Sequence, residues 1–359
     1  MKKRTVICII LVILLCILAG IYGYYLYGNY KISKIPALTF EEALRYTTDN
    51  NADAVITVGI IKNGEATYTV YGENGQVLPS ELHTYEIGSL TKTFTASFIS
   101  KAIQDGKISL SDTIDKYLSL PEKKHYPTIE QLLTHTSGYK AYYFEKPMIY
   151  NFLHGRNDYC GITKSMLLSK IADINLKEKD YSFRYSNFGY AVLGLVLEAV
   201  YQEDYSFLMN SYIQQELKLS DTRISDGKGD LINYWKWNKQ DAYIPAGALV
   251  SNISDMLSYA KMQMESNTAY IEKSHEALKV INASSQPYKK MGIHMDEIGM
   301  SWITDSENNI IWHNGGTGDY NSYIGFNLGT QTAVVVLSNL SPDYRIPATI
   351  LGIKLLQNK

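Results

Sequence analysis

The stretch Glu86-Ile87-Gly88-Ser89-Leu90-Thr91-Lys92-Thr93 decides how this chain folds. Residues 84–87 read as a short strand, and Phe94, Ser97, Phe98, Ala102 and Ile103 then recur at helical spacing. Ser89 therefore lies where a strand feeds the first turn of a helix. Free backbone N–H groups and the helix dipole favour negative charge there. Lys92 follows three residues on and shares the helix face of Ser89. Ser-x-x-Lys at such a junction puts a hydroxyl nucleophile beside an amine able to take its proton. The same residues also make an ordinary N-cap with a solvated lysine, so the rest of the chain must decide between the two.

Ahead of the junction, Asn63-Gly64 separates two β-branched runs, 54–62 and 65–71, and predicts a hairpin. A helix is predicted over 39–48, capped by Thr39 with Glu41 and Glu42 in its first turn. Beyond the junction, the helix ends at Asp105-Gly106. Short helices at 111–118 and 128–134, then helices at 163–173, 188–202, 205–217 and 254–265, fill the middle of the chain. Residues 139–160 are aromatic-rich and irregular. Strands return at 298–304, 310–313, 320–327 and 332–338, with turns at Asn308-Asn309 and Gly329-Thr330, and 343–357 closes as a helix.

Strands thus open and close the chain, with helices between. This order predicts an α+β fold: one antiparallel sheet built from both ends, flanked by the terminal helices, with an all-helical lobe inserted. The sheet lobe takes about 39–88 and 290–359, and the helical lobe about 100–289. Ser89 falls at the seam between them, where pockets form.

The N-terminus has another character. Lys2, Lys3 and Arg4 precede an uncharged run, 5–27, whose 23 residues would span about 34 Å as a helix, enough to cross a bilayer. Apolar and aromatic residues continue past the weak cleavage sites at Ala19, Gly20 and Gly23, which favours an uncleaved signal anchor over a cleaved signal peptide. Residues 1–4 would remain cytoplasmic, 28–38 would form a tether, and 39–359 would be a domain outside the cell, on a single-pass membrane protein. Cys8 and Cys16 lie in the apolar run, so Cys160 has no disulfide partner beyond it. A net charge of −2 with no basic tract argues against a nucleic-acid partner. His135, His154, His275 and His294 show no metal-ligand spacing. Gly315-Gly316-Thr317-Gly318 lacks the strand–loop–helix context of a phosphate cradle. No cofactor is expected.

Two distant stretches bear on Ser89 and Lys92. Tyr185-Ser186-Asn187 lies in a polar loop before the predicted helix at 188. His313-Asn314-Gly315-Gly316-Thr317-Gly318 runs from the end of one strand toward the next. Each alone has an ordinary explanation, as a helix cap, a hairpin turn or a satisfied histidine. In this order, as S-x-x-K, Y-x-N and H-x-G, they make the chain resemble the penicillin-recognising serine hydrolases. The resemblance is to the branch of class C β-lactamases, serine D-Ala-D-Ala carboxypeptidases, D-aminopeptidases and related esterases. Leu132-Leu133-Thr134-His135-Thr136-Ser137-Gly138-Tyr139 resembles that family's L-L-x-H-x-S-G segment. Ile244-Pro245-Ala246-Gly247-Ala248-Leu249-Val250-Ser251 resembles its P-A-G-G-L segment, with Ala248 in place of the second glycine. The resemblance covers about residues 40–357 and implies a β-lactamase/transpeptidase-like fold, here preceded by one transmembrane helix.

It also implies an acyl-enzyme mechanism with Ser89 as nucleophile. Lys92 or Tyr185 takes its proton. Burial and a nearby cation, such as protonated His313, would lower the Lys92 pKa, and Lys92 and Tyr185 would titrate as a pair. Tyr185 would help activate the deacylating water. Asn187 would position Lys92 and bond the substrate carbonyl. The backbone N–H groups of Ser89 and Gly316 would hold the oxyanion, and the strand at Gly315 would pair with substrate main chain. His135 is read as structural. His313 stands where β-lactamases usually carry lysine, and histidine is only partly charged near neutral pH. This favours a peptidase or esterase acting on D-amino-acid peptide or ester bonds, such as those of cell-envelope material, with β-lactams as acylating ligands. The alternatives are a class C-like β-lactamase and a non-catalytic penicillin-binding module. Tyr142, Tyr143, Phe144, Tyr150 and Phe152 either line the cleft or pack the helical lobe.

Overall fold

Asn63 and Gly64 take positive φ angles of 54° and 81°, and the hairpin they close starts the main sheet. The computed structural model describes residues 33–357 except 124 and 266, together with the single positions 13, 16, 20, 22 and 23. In chain order the strands are β1 (Ile56–Lys62), β2 (Glu65–Tyr71), β3 (Val77–Leu78), β4 (Tyr85–Glu86), β5 (Arg223–Ile224) and β6 (Leu249–Ser251). They continue with β7 (Lys279–Val280), β8 (Glu297–Ile298), β9 (Ile303–Asp305), β10 (Ile310–Gly316), β11 (Asn321–Asn327) and β12 (Thr332–Ser338). The main antiparallel sheet runs β3-β2-β1-β12-β11-β10-β9-β8-β7. Pairing of β1 with β12, with Ile56 opposite Ser338, puts both ends of the domain at its centre.

Both faces of this sheet are covered, and the strand sequences show it. Val334 and Val336 of β12 enter one core with Phe40 and Leu44 of the helix Phe40–Thr48 and Ile350 and Leu351 of the helix Ala348–Leu356. Ala333, Val335 and Leu337 enter the other core with Met256, Leu257 and Ala260 of the helix Ile253–Met264. A strand buried on both faces reads as an apolar run rather than an alternation. The first helix starts with a reciprocal cap: Thr39 N donates to Glu42 Oε2 at 2.9 Å, and Glu42 N donates to Thr39 Oγ1 at 3.2 Å.

The second core extends into the helical region. The helix Thr91–Gln104 lies at its centre, with Phe94 and Ile99 fully buried. Its hydroxyls are satisfied by tyrosines: Thr95 Oγ1 lies 2.7 Å from the Tyr205 hydroxyl and Ser97 Oγ 2.6 Å from that of Tyr212. The helix Asn187–Tyr201 packs beside it, and a Cβ on Gly194 would run into the Pro245 ring. That close approach brings the Ile244–Gly247 turn under Ser89 and Lys92.

Several expectations change. Tyr85–Glu86 pairs with β6 in a separate sheet of order β4-β6-β5, not with the main sheet. The strand predicted at 298–304 is two strands, β8 and β9, because Gly299 N bonds Trp302 O and turns the chain. Residues 111–118 hold only a 3-10 turn, Ile114–Lys116. The helix predicted at 205–217 is Tyr205–Ser211 followed by a wider π turn, Tyr212–Glu216. The irregular stretch 139–160 contains the helix Lys146–Leu153, whose apolar residues mostly face solvent. The sheet takes in β7, ahead of the expected boundary at 290. The tether expected at 28–38 is part of the fold at its end: Ile35 is buried, and Lys354 Nζ donates to Leu38 O at 2.6 Å. The transmembrane segment expected at 5–27 lies outside the described residues apart from the five single positions. Among the described residues, no helix is long and apolar enough to cross a membrane.

Candidate active site

Ser89 occupies a 3-10 turn, Gly88–Leu90, that leads into the helix Thr91–Gln104. Neighbouring segments fix that turn. Ile87 N donates to Leu249 O at 3.0 Å, Ser322 Oγ donates to Ile87 O at 2.8 Å, and Leu249 N donates to Thr91 Oγ1 at 3.0 Å. Strand β10 passes so near that only glycine fits at two points. Gly88 has a φ of 49°, and a Cβ on it would lie 2.6 Å from Gly316 N. A Cβ on Gly315 would run into Ile87 O and lie 2.9 Å from Ser89 N. The backbones of Ser89 and Gly316, expected to share an oxyanion, are thus brought together.

Lys92 is fully buried. Its Nζ donates to Ser89 Oγ at 2.9 Å and to Ala246 O at 2.6 Å. No carboxylate offsets its burial, which pushes the amine well below its ordinary pKa. The rings of Tyr185 and Tyr190 lie 4.9 and 5.7 Å from Nζ. Burial raises the pKa of the Tyr185 hydroxyl, and Ser89 beside it works in the other direction. Ser89, Lys92 and Tyr185 therefore form one contact group, as expected.

The other residues are placed differently. Asn187 Nδ2 donates to the Tyr159 hydroxyl at 2.7 Å, not to Lys92, and Asn187 Oδ1 is buried without a hydrogen-bond partner. Backbone carbonyl Ala246 O holds Lys92 instead. His313 is buried beside the Lys92 amine. Burial, with Lys92 adding to it, pushes the imidazole down to about 3. It is neutral near pH 7, so it neither lowers the Lys92 pKa as a cation nor offers positive charge to a substrate. Its Nδ1 lies 2.6 Å from Asn314 O. His313 lines a small cavity with His135, Phe183 and Tyr185, whereas Ser89, Asn187 and Gly316 line another. His135 supports the Tyr185 loop: its Nδ1 accepts from Ser186 N at 3.1 Å and its carbonyl accepts from Arg184 N at 2.9 Å.

Sequence reasoning missed two parts of the site. One is Glu86, which is buried and pushed up to about 7 by that burial, partly offset by its hydrogen bonds. Thr317 Oγ1 donates to Glu86 Oε2 and Trp235 N to Glu86 Oε1, each at 2.6 Å. Glu86 therefore ties the end of β10 to the loop carrying Trp235. Its signal was a charged residue in the short strand that leads into Ser89. The other is an aromatic wall of Tyr159, Trp235, Trp237 and Tyr243 around the Ser89 cavity. Tyr159 stacks on Tyr243 at 4.4 Å. These residues come from irregular segments that carry no periodic signal.

The beta-lactamase family model matches residues 48–355. The chain belongs to this family. Its members are serine hydrolases, in accord with the Ser89–Lys92–Tyr185 group. Protein flp of Staphylococcus aureus strain MW2 is 24% identical over 314 residues, covering 79% of this chain and 59% of flp. A beta-lactamase of Providencia stuartii is 28% identical over 229 residues, covering 59% of this chain and 56% of that protein. The chain thus spans less than two thirds of the length of the curated relatives it matches. Among solved structures, a beta-lactamase/D-alanine carboxypeptidase from Yersinia pestis superposes with a TM-score of 0.69 at 18% identity, over 89% of this chain and 96% of that one. A D-stereospecific amidohydrolase from Streptomyces sp. superposes with a TM-score of 0.61 at 19% identity, over 83% and 93%. These two superpositions establish the β-lactamase-like α+β fold.

Proposed function

We propose that the protein is a membrane-anchored extracellular serine hydrolase that cleaves D-amino-acid peptide or ester bonds through an acyl-enzyme on Ser89. The observation that carries this reading is the buried Lys92 amine, 2.9 Å from Ser89 Oγ and pushed well below its ordinary pKa by burial. Lys92 and Tyr185 shift in opposite directions. The depressed amine is the base, and the phenol whose pKa is raised stays protonated as a donor. The Ser89 proton passes to Nζ, Oγ bonds the carbonyl carbon, and the N–H groups of Ser89 and Gly316 hold the oxyanion. The leaving group departs with a proton, and water then cleaves the acyl–serine bond.

The D-amino-acid preference is supported by two structural neighbours, a beta-lactamase/D-alanine carboxypeptidase and a D-stereospecific amidohydrolase. Neutral His313 gives no fixed charge for a substrate carboxylate, which counts against an efficient β-lactamase. The intact Ser89–Lys92–Tyr185 group counts against a non-catalytic penicillin-binding module. The basic start and uncharged run at 5–27 support the anchor.

The test is covalent labelling of the full chain by a fluorescent penicillin and a fluorophosphonate, followed by a hydrolysis panel of D-Ala-D-Ala peptides, D-amino-acid amides, short-chain esters and a chromogenic cephalosporin. Labelling lost in Ser89→Ala, with turnover of D-peptides or esters, is the expected result. Labelling that persists in Ser89→Ala overturns the assignment, and rapid cephalosporin turnover makes the protein a β-lactamase.

A further inference from the structure

The helix Lys146–Leu153 buries Met148 and Asn151 and turns its other apolar residues outward. Phe152 is 80% exposed and Phe144, just before the helix, 64%. Single exposed apolar residues are ordinary, but a contiguous run of them marks a binding surface. Here the surface is a groove of about 510 Å³, open mouth included, walled by Tyr142, Phe144, Met148, Phe152, Asp158 and Tyr159.

Asp158 and Tyr159 also wall the Ser89 cavity, so the groove and the cavity are neighbours through one shared partition. That partition is held in place. Asn151 Nδ2 donates to Cys160 O at 2.8 Å and fixes the loop against the helix. The Tyr159 hydroxyl accepts from Asn187 Nδ2 at 2.7 Å, on the catalytic side. Tyr143, by contrast, packs into the core, 4.8 Å from the Phe188 ring, and leaves the groove to its neighbours. The groove wall offers mainly aromatic rings and a thioether, with the Asp158 carboxylate at its border to the Ser89 cavity. The hydroxyls of a sugar would lose water there without enough partners to replace it, whereas Met148 adapts to varied apolar shapes.

We propose that this groove is a substrate subsite that takes a hydrocarbon arm carried next to the scissile bond. The proposal rests on Ser89 acylation and specifies the substrate further. It assigns the exposed aromatic residues to recognition rather than to packing of the helical lobe.

The experiment measures kcat/KM for p-nitrophenyl acetate, butyrate, hexanoate and octanoate with the full chain in lipid nanodiscs. It compares the wild type with Phe144→Ser, Phe152→Ser and the double variant. The octanoate-to-acetate ratio is read within each protein, so changes in folded fraction cancel. A wild-type ratio above tenfold, falling at least fivefold in the double variant, is expected. A flat wild-type series, or a ratio the substitutions leave unchanged, overturns the subsite and leaves the apolar surface to the surrounding lipid. Absence of both ester turnover and fluorophosphonate labelling at Ser89 removes the hydrolase reading itself, and the subsite with it.

Discussion

The floor of the cleft and its outer flank are built on opposite plans. At the floor, Ser89 sits on a turn pinned by β10, β11 and β6, with Lys92 in the helix that follows and glycine where a methyl group has no room. On the flank, Phe144, Phe152 and Leu153 face solvent and bury little of themselves. The difference separates chemistry from selection. A depressed lysine pKa needs a dry, fixed enclosure, whereas a wall that discriminates among substrates has to remain accessible until they arrive.

Five substitutions in four tests break or sharpen this contrast, from the largest expected effect downward. Lys92→Met removes the proposed base and should slow fluorophosphonate labelling of Ser89 by about 10²–10⁴-fold, the usual worth of general base catalysis. Gly315→Ala forces β10 away from Ile87 and Ser89, and should cost about 1–3 kcal/mol in urea unfolding together with loss of labelling.

The third test uses pH. His313 titrates at about 3 when folded and near 6.5 when unfolded, so the unfolded chain binds its proton first. The His313 contribution to stability is complete above 6.5 and is lost as pH falls toward 3. His313→Asn should flatten that limb of a Tm-versus-pH curve. Glu86 works with the reverse sign. Its folded pKa of about 7 exceeds the unfolded 4.5, so its contribution shrinks as pH rises between those values, and Glu86→Gln should remove that slope. The smallest effect belongs to the flank: Phe152→Ser should change unfolding stability by less than about 0.5 kcal/mol, because the side chain is already exposed. A larger loss would mean that the flank is built like the floor.

How much of this could be read from the sequence follows the same division. The Asn63-Gly64 hairpin, the Thr39 cap and the buried strands β10, β11 and β12 announce themselves through turn chemistry and apolar runs. Ser89, Lys92 and Tyr185 were legible as a spaced set. What stayed hidden depends on tertiary surroundings. His313 looks like a partly charged group until burial beside Lys92 makes it neutral. Asn187 looks like a ligand for Lys92 until Ala246 O takes that role and Tyr159 takes its amide. The helix Lys146–Leu153 hides because its eight residues give only about two turns of pattern inside an aromatic-rich stretch. The break between β8 and β9 hides because one turn at Gly299 interrupts a stretch that is apolar on both sides.

Lys354 has a mechanical consequence. Its amine donates to Pro36 O at 3.3 Å and Leu38 O at 2.6 Å, fastening the beginning of the described chain to the last helix. Ile35 and Phe40 belong to the same core as Ile350 and Leu351, on the side of the sheet away from Phe94 and the helix bearing Lys92. A pull applied ahead of residue 33 is therefore shared between the first and last helices and their core. The load path runs behind the sheet and bypasses Ser89.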